Sequence, residues 1–374
     1  MEKVVVKIGS QLIANSGGDL NLPVIASLIS DAARVIKAGK KIIIVSSGAV
    51  ASGRAAKELV GEFRVKADGQ PKKIIREQML AAVGQPELMA VYKSEFKRHG
   101  LNCAQVLVTR ADFSDRQRYL SLRTVTENLV SLGIIPIFNE NDVLSPEELD
   151  FSDNDQLSAM IAAMLVADRL LILTNVAGVY DKDPKEKGAK LLTELEDIEK
   201  MIKSMGAGKS EVGRGGMKSK LITAAQIISL GIEMDIASGF EPEILSKIIL
   251  HNEKIGTHFK AIKKKIKPLK GWLALAAHPK GRIITSCYLA DILKKKQPAS
   301  VLLSGVEGVE GEFKKGDVIA VCDIDGTVLA KGQSRFARDE LVLEIKKHKE
   351  SHIEGERIEG GKKIAVHYDY LVFE

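Results

Sequence analysis

Cysteine is scarce in this chain: three residues (Cys103, Cys287 and Cys322), odd in number and far apart, in 374 positions. Such a set argues against a disulfide framework or a zinc site, and points to a reducing, cytoplasmic compartment. No apolar run approaches the roughly 18–20 residues needed to cross a bilayer, so no membrane association is expected. The first residues already read as a strand, which leaves no signal or transit peptide to expect. Internal repeats and low-complexity tracts are absent. There is no Ser elbow of the G-x-S-x-G kind, and no pairing of cysteine with histidine suggests a thiol nucleophile. His99, His251 and His258 read as surface or satisfied structural residues. Gly206-Ala207-Gly208-Lys209-Ser210 is not a Walker A loop, because Lys203 stands where the first glycine belongs and no strand leads into it. No residue is assigned as a metal ligand.

What remains is a soluble globular composition, 45% apolar and 28% charged, with a length that suggests two or three domains. The net charge of +6 is localised: residues 1–255 carry 33 basic and 33 acidic side chains, and residues 256–374 carry 22 and 16. Lys260, Lys263, Lys264, Lys265, Lys267 and Lys270 supply the whole excess, so a basic linker is better supported than a basic nucleic-acid-binding face.

The chain is organised around Val4-Val5-Val6-Lys7-Ile8-Gly9-Ser10, an apolar run whose polar residues fall at its C-terminal tip. It reads as a strand buried on both faces of a parallel sheet, and the C-terminal edge of such a sheet is where ligands bind. Gly9 permits close backbone approach, and Lys7 offers a point charge suited to phosphate. Helical spacing over Leu22–Ala38 leads to a second buried strand, Lys41–Val45, which runs into Ser46-Ser47-Gly48-Ala49. Residues 57–73 read as a surface excursion, and helical patterning resumes from Ile74 to Phe96. Further strands are expected at Cys103–Thr109, Ile134–Phe138, Leu170–Leu173 and Glu233–Ile236, with helices between them. Residues 1–255 therefore form a doubly wound α/β domain. A linker covers 256–272. Residues 273–374 form a small, mostly β, barrel-like module of short strands and Gly turns with two short helices.

Several strand ends share a chemistry. Ser46, Ser47 and Gly48 open a helix whose backbone N–H groups suit an anion, although a structural turn explains them equally. Asp142, Asp153, Asn154 and Asp155 form a polar cluster that also reads as helix caps. The run 213–220 converges glycines, helix dipole and two lysines on one point, suiting nucleotide phosphates, or is a flexible loop with solvated lysines.

Taken in order, VVVKIGS, IIIVSSGAVASG, MLAAVGQPELM, VLVTRADFSDRQRY, IPIFNENDV, SDNDQLSA, LLILTNVAGVY and GRGGMKSK resemble the glutamate 5-kinases of the amino acid kinase family. The strings around 311–318 and 330–336 resemble the PUA domain that many of these kinases carry. The resemblance implies a three-layer αβα fold with a mainly parallel sheet, and transfer of the ATP γ-phosphoryl group to the side-chain carboxylate of L-glutamate. That is the first step of proline synthesis, with Mg2+ bridging the β- and γ-phosphates. Residue by residue it implies that Lys7, Lys220 and Asp155 are catalytic, and that Ser47, Gly48, Asp142 and Asn154 contact glutamate. Lys7, Gly9, Thr174, Asn175, Arg214, Gly215, Gly216, Met217, Lys218, Ser219 and Lys220 are implied at the nucleotide. Asn175 stands where Asp is common and Arg214 where Thr is common, differences that bear on nucleotide affinity rather than reaction type. Phe151-Ser152 precede the Asp-Asn-Asp string where Gly is usual. Proline as feedback inhibitor, a homo-oligomer, and hand-over of the labile acyl phosphate to glutamyl-phosphate reductase are further implications. Two alternatives stay open: another amino acid kinase acting on acetylglutamate, aspartate or uridylate, or an RNA-binding, regulatory PUA protein.

Overall fold

The computed structural model describes residues 1–15, 19–54, 72–144, 154–184, 186–195, 197–204, 216–262, 267–353 and 364–373. The expected excursion at 57–73, apart from its last two residues, lies outside these, as do Asp153, Phe151, Ser152, Gly213, Arg214, Gly215 and Lys263 to Lys265. The chain divides into two compact units, Met1–Ile266 and Lys267–Glu374.

In the first unit the strands are β1 (Lys3–Ile8), β2 (Lys41–Ser46), β3 (Asn102–Val108), β4 (Ile134–Glu140), β5 (Arg169–Thr174), β6 (Glu233–Ser238) and β7 (Thr257–Phe259). They pair in the order β3-β4-β2-β1-β5-β6-β7, all parallel except β7. β1 sits at the point where the chain switches sides of the sheet, with β2 on one flank and β5 on the other. Because successive side chains alternate between faces, Val4, Val6 and Ile8 pack on one face. There they meet the helices Leu22–Lys37, Lys72–Arg98 and Ile244–Ile249. Val5 and Lys7 belong to the opposite face. That face carries the helix Asn154–Leu165, of whose twelve residues all but Asn154 and Gln156 are buried. The result is a three-layer αβα sandwich.

The helix Asn154–Leu165 runs antiparallel to β1 and is tied to it at both ends. At its C-terminus the Lys3 ammonium donates to the carbonyl of Leu165 at 2.6 Å, where helix carbonyls and dipole favour a cation. Four strand steps of about 3.3 Å and ten helix steps of about 1.5 Å cover nearly the same distance, so the helix N-terminus falls beside Lys7.

The turn after β2 is positioned by glycine. A Cβ on Gly84, in the helix Lys72–Arg98, would lie 2.0 Å from the Ala49 carbonyl oxygen and 2.2 Å from the Gly53 nitrogen. The helix Ala49–Arg54 thus rests directly on the backbone of the longer helix. Gly48 has φ +105°, a left-handed conformation that other residues resist.

The linker expected at 256–272 is different in the structure. β7 extends the first sheet along β6, and the helix Pro268–Leu275 opens the second unit. A three-residue strand is too short to show period-two patterning, which is why composition alone assigned it to the linker. His258 of β7 lies 2.8 Å through Nδ1 from the buried Asp235, which also accepts from Arg169 Nη1 at 3.1 Å; it is a satisfied structural histidine.

The second unit holds a six-stranded sheet in the order β10-β8-β11-β12-β13-β9. Its strands are β8 (Gly281–Thr285), β9 (Val301–Leu302), β10 (Val306–Gly311), β11 (Val318–Cys322), β12 (Val328–Ser334) and β13 (Ile364–Phe373). Only β8 and β11 pair parallel. β10 has no counterpart in the sequence reading because its Gly-Val-Glu-Gly pattern resembles a turn; a bulge between Val306 and Gly308 accommodates it. Ile283, Val301, Phe313, Ile319, Val321 and Leu341 are among the residues of its own core.

Replacing Gly84 with Ala forces the two helices apart. Gly84→Ala is expected to lower the unfolding free energy by about 1–3 kcal/mol, read as a lower urea midpoint at unchanged slope. An unchanged midpoint would mean the helices do not meet here.

Candidate active site

Lys7 is the penultimate residue of β1, Asp155 lies in the first turn of the helix Asn154–Leu165, and Lys220 in the first turn of the helix Met217–Ser229. Asp155 Oδ1 lies 2.7 Å from Lys7 Nζ, and Oδ2 lies 2.9 Å from Lys220 Nζ. Asp155 is fully buried and each lysine only 6% exposed. Burial pushes the Asp155 carboxyl up, but the ammonium groups of Lys7 and Lys220 outweigh it and hold the pKa below the ordinary carboxylate value. The first turn of a helix also favours an anion. Two cations and one anion leave this cluster with one net positive charge, in a setting where charge interacts far more strongly than in water.

Asn154, one residue earlier, serves a different set of partners. Its Nδ2 donates to the Ser46 carbonyl at 2.8 Å, to Ser47 Oγ at 2.8 Å and to Asn139 Oδ1 at 3.1 Å. The tips of β1, β2 and β4 are thereby gathered around the start of one helix. Asp142 lies in the turn that follows β4, at the same sheet edge. Gly48 follows Ser47 in the turn after β2.

On the other flank Thr174 ends β5 and Asn175 follows it; Thr174 Oγ1 donates to Asn175 Oδ1 at 3.2 Å. Gly9, expected at the nucleotide, directly follows β1 and lies against β5. Its N–H donates to the Leu173 carbonyl at 3.1 Å, and a Cβ there would lie 3.1 Å from that same oxygen. Glycine is therefore suited to Gly9 by the neighbouring strand, and its N–H is engaged within the protein. Gly216 caps the helix Met217–Ser229 with no side-chain acceptor, and Lys218 is exposed beside the half-buried Met217 and Ser219. The nucleotide positions expected at Arg214 and Gly215 lie outside the described residues.

Three side chains of this edge were missed by sequence reasoning: Gln85, Tyr92 and Asn139, all buried. The available signal was polar residues inside otherwise apolar stretches. Asn139 follows the run Ile134–Phe138, and Gln85 sits beside Gly84 within a long helix.

Comparison with known proteins agrees with this geometry. The model of the amino acid kinase family matches residues 2–238, and that of the PUA domain matches residues 289–356. A protein of Chlorobaculum tepidum named glutamate 5-kinase is 38% identical over 99% of this chain and 96% of its own length. Proteins of the same name from Shewanella amazonensis and a Thermoanaerobacter species are 37% and 36% identical. They cover 92% and 99% of this chain, and 89% and 97% of their own lengths.

Asp155→Asn leaves two buried ammonium groups without their counter-charge, and a loss of about 3–5 kcal/mol in unfolding free energy is expected at pH 7. The folded pKa of Asp155 is depressed, so its contribution is complete above the unfolded value of about 3.9 and is lost as pH falls through the lower folded value. Urea titrations of both proteins should show a gap that narrows on going from neutral to strongly acidic pH. A gap independent of pH would separate the carboxylate's contribution from its charge.

Proposed function

The chain belongs to the amino acid kinase family and, within it, to the glutamate 5-kinases, and on that footing we propose how its sheet edge performs the reaction. The enzyme phosphorylates the side-chain carboxylate of L-glutamate with ATP to give L-glutamyl 5-phosphate, the first step of proline biosynthesis. The acceptor is already ionised at neutral pH, so no general base is required. What opposes reaction is the approach of a carboxylate to a phosphoryl group that carries negative charge itself, and fixed cations lower that barrier.

The observation that carries the mechanism is the grip of Asp155 on both lysines. Each ammonium is held by one carboxylate oxygen, at 2.7 and 2.9 Å, and so each is aimed before substrate arrives. Lys7 and Lys220 are the catalytic cations, one stabilising charge on the transferring group and the other on the leaving phosphate. Asp155 orients them. Ser47 and Asn154, already bonded to each other, face the amino acid together with Gly48, and Asp142 supplies a charge for the substrate ammonium. Thr174, Asn175 and the loop through Gly216, Met217, Lys218 and Ser219 take the nucleotide.

Magnesium enters with ATP as part of the nucleotide substrate. Among the described residues no group of three or more potential ligands gathers to hold a metal. The one carboxylate within the triad is engaged by two lysines, and a phosphate-bound ion that keeps its waters needs little from the protein. No helix among the described residues is long and apolar enough to cross a membrane.

A homo-oligomer is supported by the outer edge of β3 together with exposed Leu107, Leu120, Val125 and Leu132, which offer apolar surface to a second copy. Light scattering is expected to give at least twice the chain mass; a monomer at micromolar concentration would remove this reading. Inhibition by proline and hand-over of the acyl phosphate to a reductase are proposed on family resemblance alone.

Purified protein with ATP, magnesium, L-glutamate and hydroxylamine should yield the hydroxamate, whereas aspartate or N-acetylglutamate in place of glutamate should not. No product above those controls would reject the activity. Lys220→Ala should lower kcat by about 100-fold or more while changing the KM for glutamate little, as removal of one charge-stabilising donor does. An effect confined to KM would show that Lys220 acts only in ground-state binding.

A further inference from the structure

The helix Lys72–Arg98 contributes nothing to the ion triad, yet two of its side chains are buried against the tips of β2 and β4. Gln85 and Tyr92 are seven residues apart, two turns of the helix, and so share a face. Gln85 Oε1 accepts from Asn139 Nδ2 at 2.8 Å, and Tyr92 OH lies 3.0 Å from Ser46 Oγ.

The direction of each amide along this chain is set by backbone. The Glu140 N–H can only donate, and it meets Asn139 Oδ1 at 2.9 Å. The Ser46 carbonyl can only accept, so Asn154 must turn its NH2 group toward it. Asn139 Oδ1 then accepts from Asn154 as well, which leaves the Asn139 NH2 group facing Gln85. With its oxygen turned toward these donors, the Asn139 NH2 group needs an acceptor, and Gln85 Oε1 is the one it meets. Gly84, seated on the backbone of Ala49 and Gly53, fixes the height of Gln85 along the sheet edge.

We propose that Gln85 is a positioning residue of the amino-acid pocket, acting through Asn139 on Asn154 and Ser47; the inference rests on the glutamate reading above. Without its oxygen, the buried Asn139 NH2 loses a partner, and an unsatisfied buried donor favours rearrangement of the amide. The oxygen that Asn154 leans on moves with it. None of the hydrogen bonds named in this chain ends on Lys7 or Lys220, so the phosphoryl-transfer step and the nucleotide are expected to be spared.

Two full-length variants test this: Gln85→Met, of equal length but with no acceptor, and Gln85→Glu, which keeps an acceptor oxygen. Hydroxamate formation is followed against glutamate and against ATP, with thermal midpoints recorded in parallel. Gln85→Met is expected to raise the KM for glutamate about tenfold, equivalent to about 1.4 kcal/mol, while the KM for ATP stays within about twofold. Gln85→Glu should return the glutamate KM to within about threefold of the parent. A role confined to stability would lower the thermal midpoint and the active fraction without separating the two KM values. An unchanged glutamate KM in Gln85→Met, an equal rise in both KM values, or a Gln85→Glu protein with a strongly raised glutamate KM would each overturn the proposal. Parent protein that forms no hydroxamate would overturn the glutamate reading itself and this inference with it; active parent with indifferent variants overturns the inference alone.

Discussion

One buried carboxylate holding two ammonium groups constrains everything around it. Two lysines cannot approach each other away from water without a counter-charge, and Asp155 supplies it from the first turn of a helix whose dipole favours the anion. That helix must therefore lie along β1 with its N-terminus at the strand's tip. The Lys3 contact to the Leu165 carbonyl fixes the other end. The parallel sheet then does the rest, since parallel strands deliver the ends of β1, β2, β4 and β5 to the same edge.

Two supporting systems meet at consecutive residues. Asp155 looks toward the cations, whereas Asn154 looks toward the tips of β2 and β4, so one peptide unit separates the charged triad from the chain of amides. The helix Asn154–Leu165 serves the first system. The helix Lys72–Arg98 serves the second, through Gln85, Tyr92 and the glycine crossing. The two helices lie on opposite faces of the sheet and meet its edge from either side, with Asn154 joining the amide chain to the helix that carries Asp155.

Much of this was legible in the letters because burial on both faces writes a strand as an unbroken apolar run. β1, β2, β4 and β5 each announced themselves in that way, and the polar residues beyond them marked the edge. The amide chain was not legible. Asn139, Gln85 and Asn154 are far apart in sequence, and an amide carries no periodic signal; its meaning depends on which backbone group it meets. The strand contact that favours glycine at position 9 was not legible for a related reason, since it depends on the Leu173 carbonyl of a distant strand. β7 and β10 escaped because one is too short and the other too rich in glycine for alternation to show.

β7 also alters where one unit of the molecule can be said to stop. Thr257 accepts from the Val179 N–H at 2.8 Å and donates to the Leu192 carbonyl at 2.6 Å, stitching the loops beyond β5 to the sheet's outer strand. A gene trimmed at the change in composition near residue 255 would encode a protein with β6 as a raw edge. Asp235 would lose His258, and those loops would lose their fastener. An isolated first unit intended to remain whole has to run at least through Phe259, past the point where the change in composition would end it.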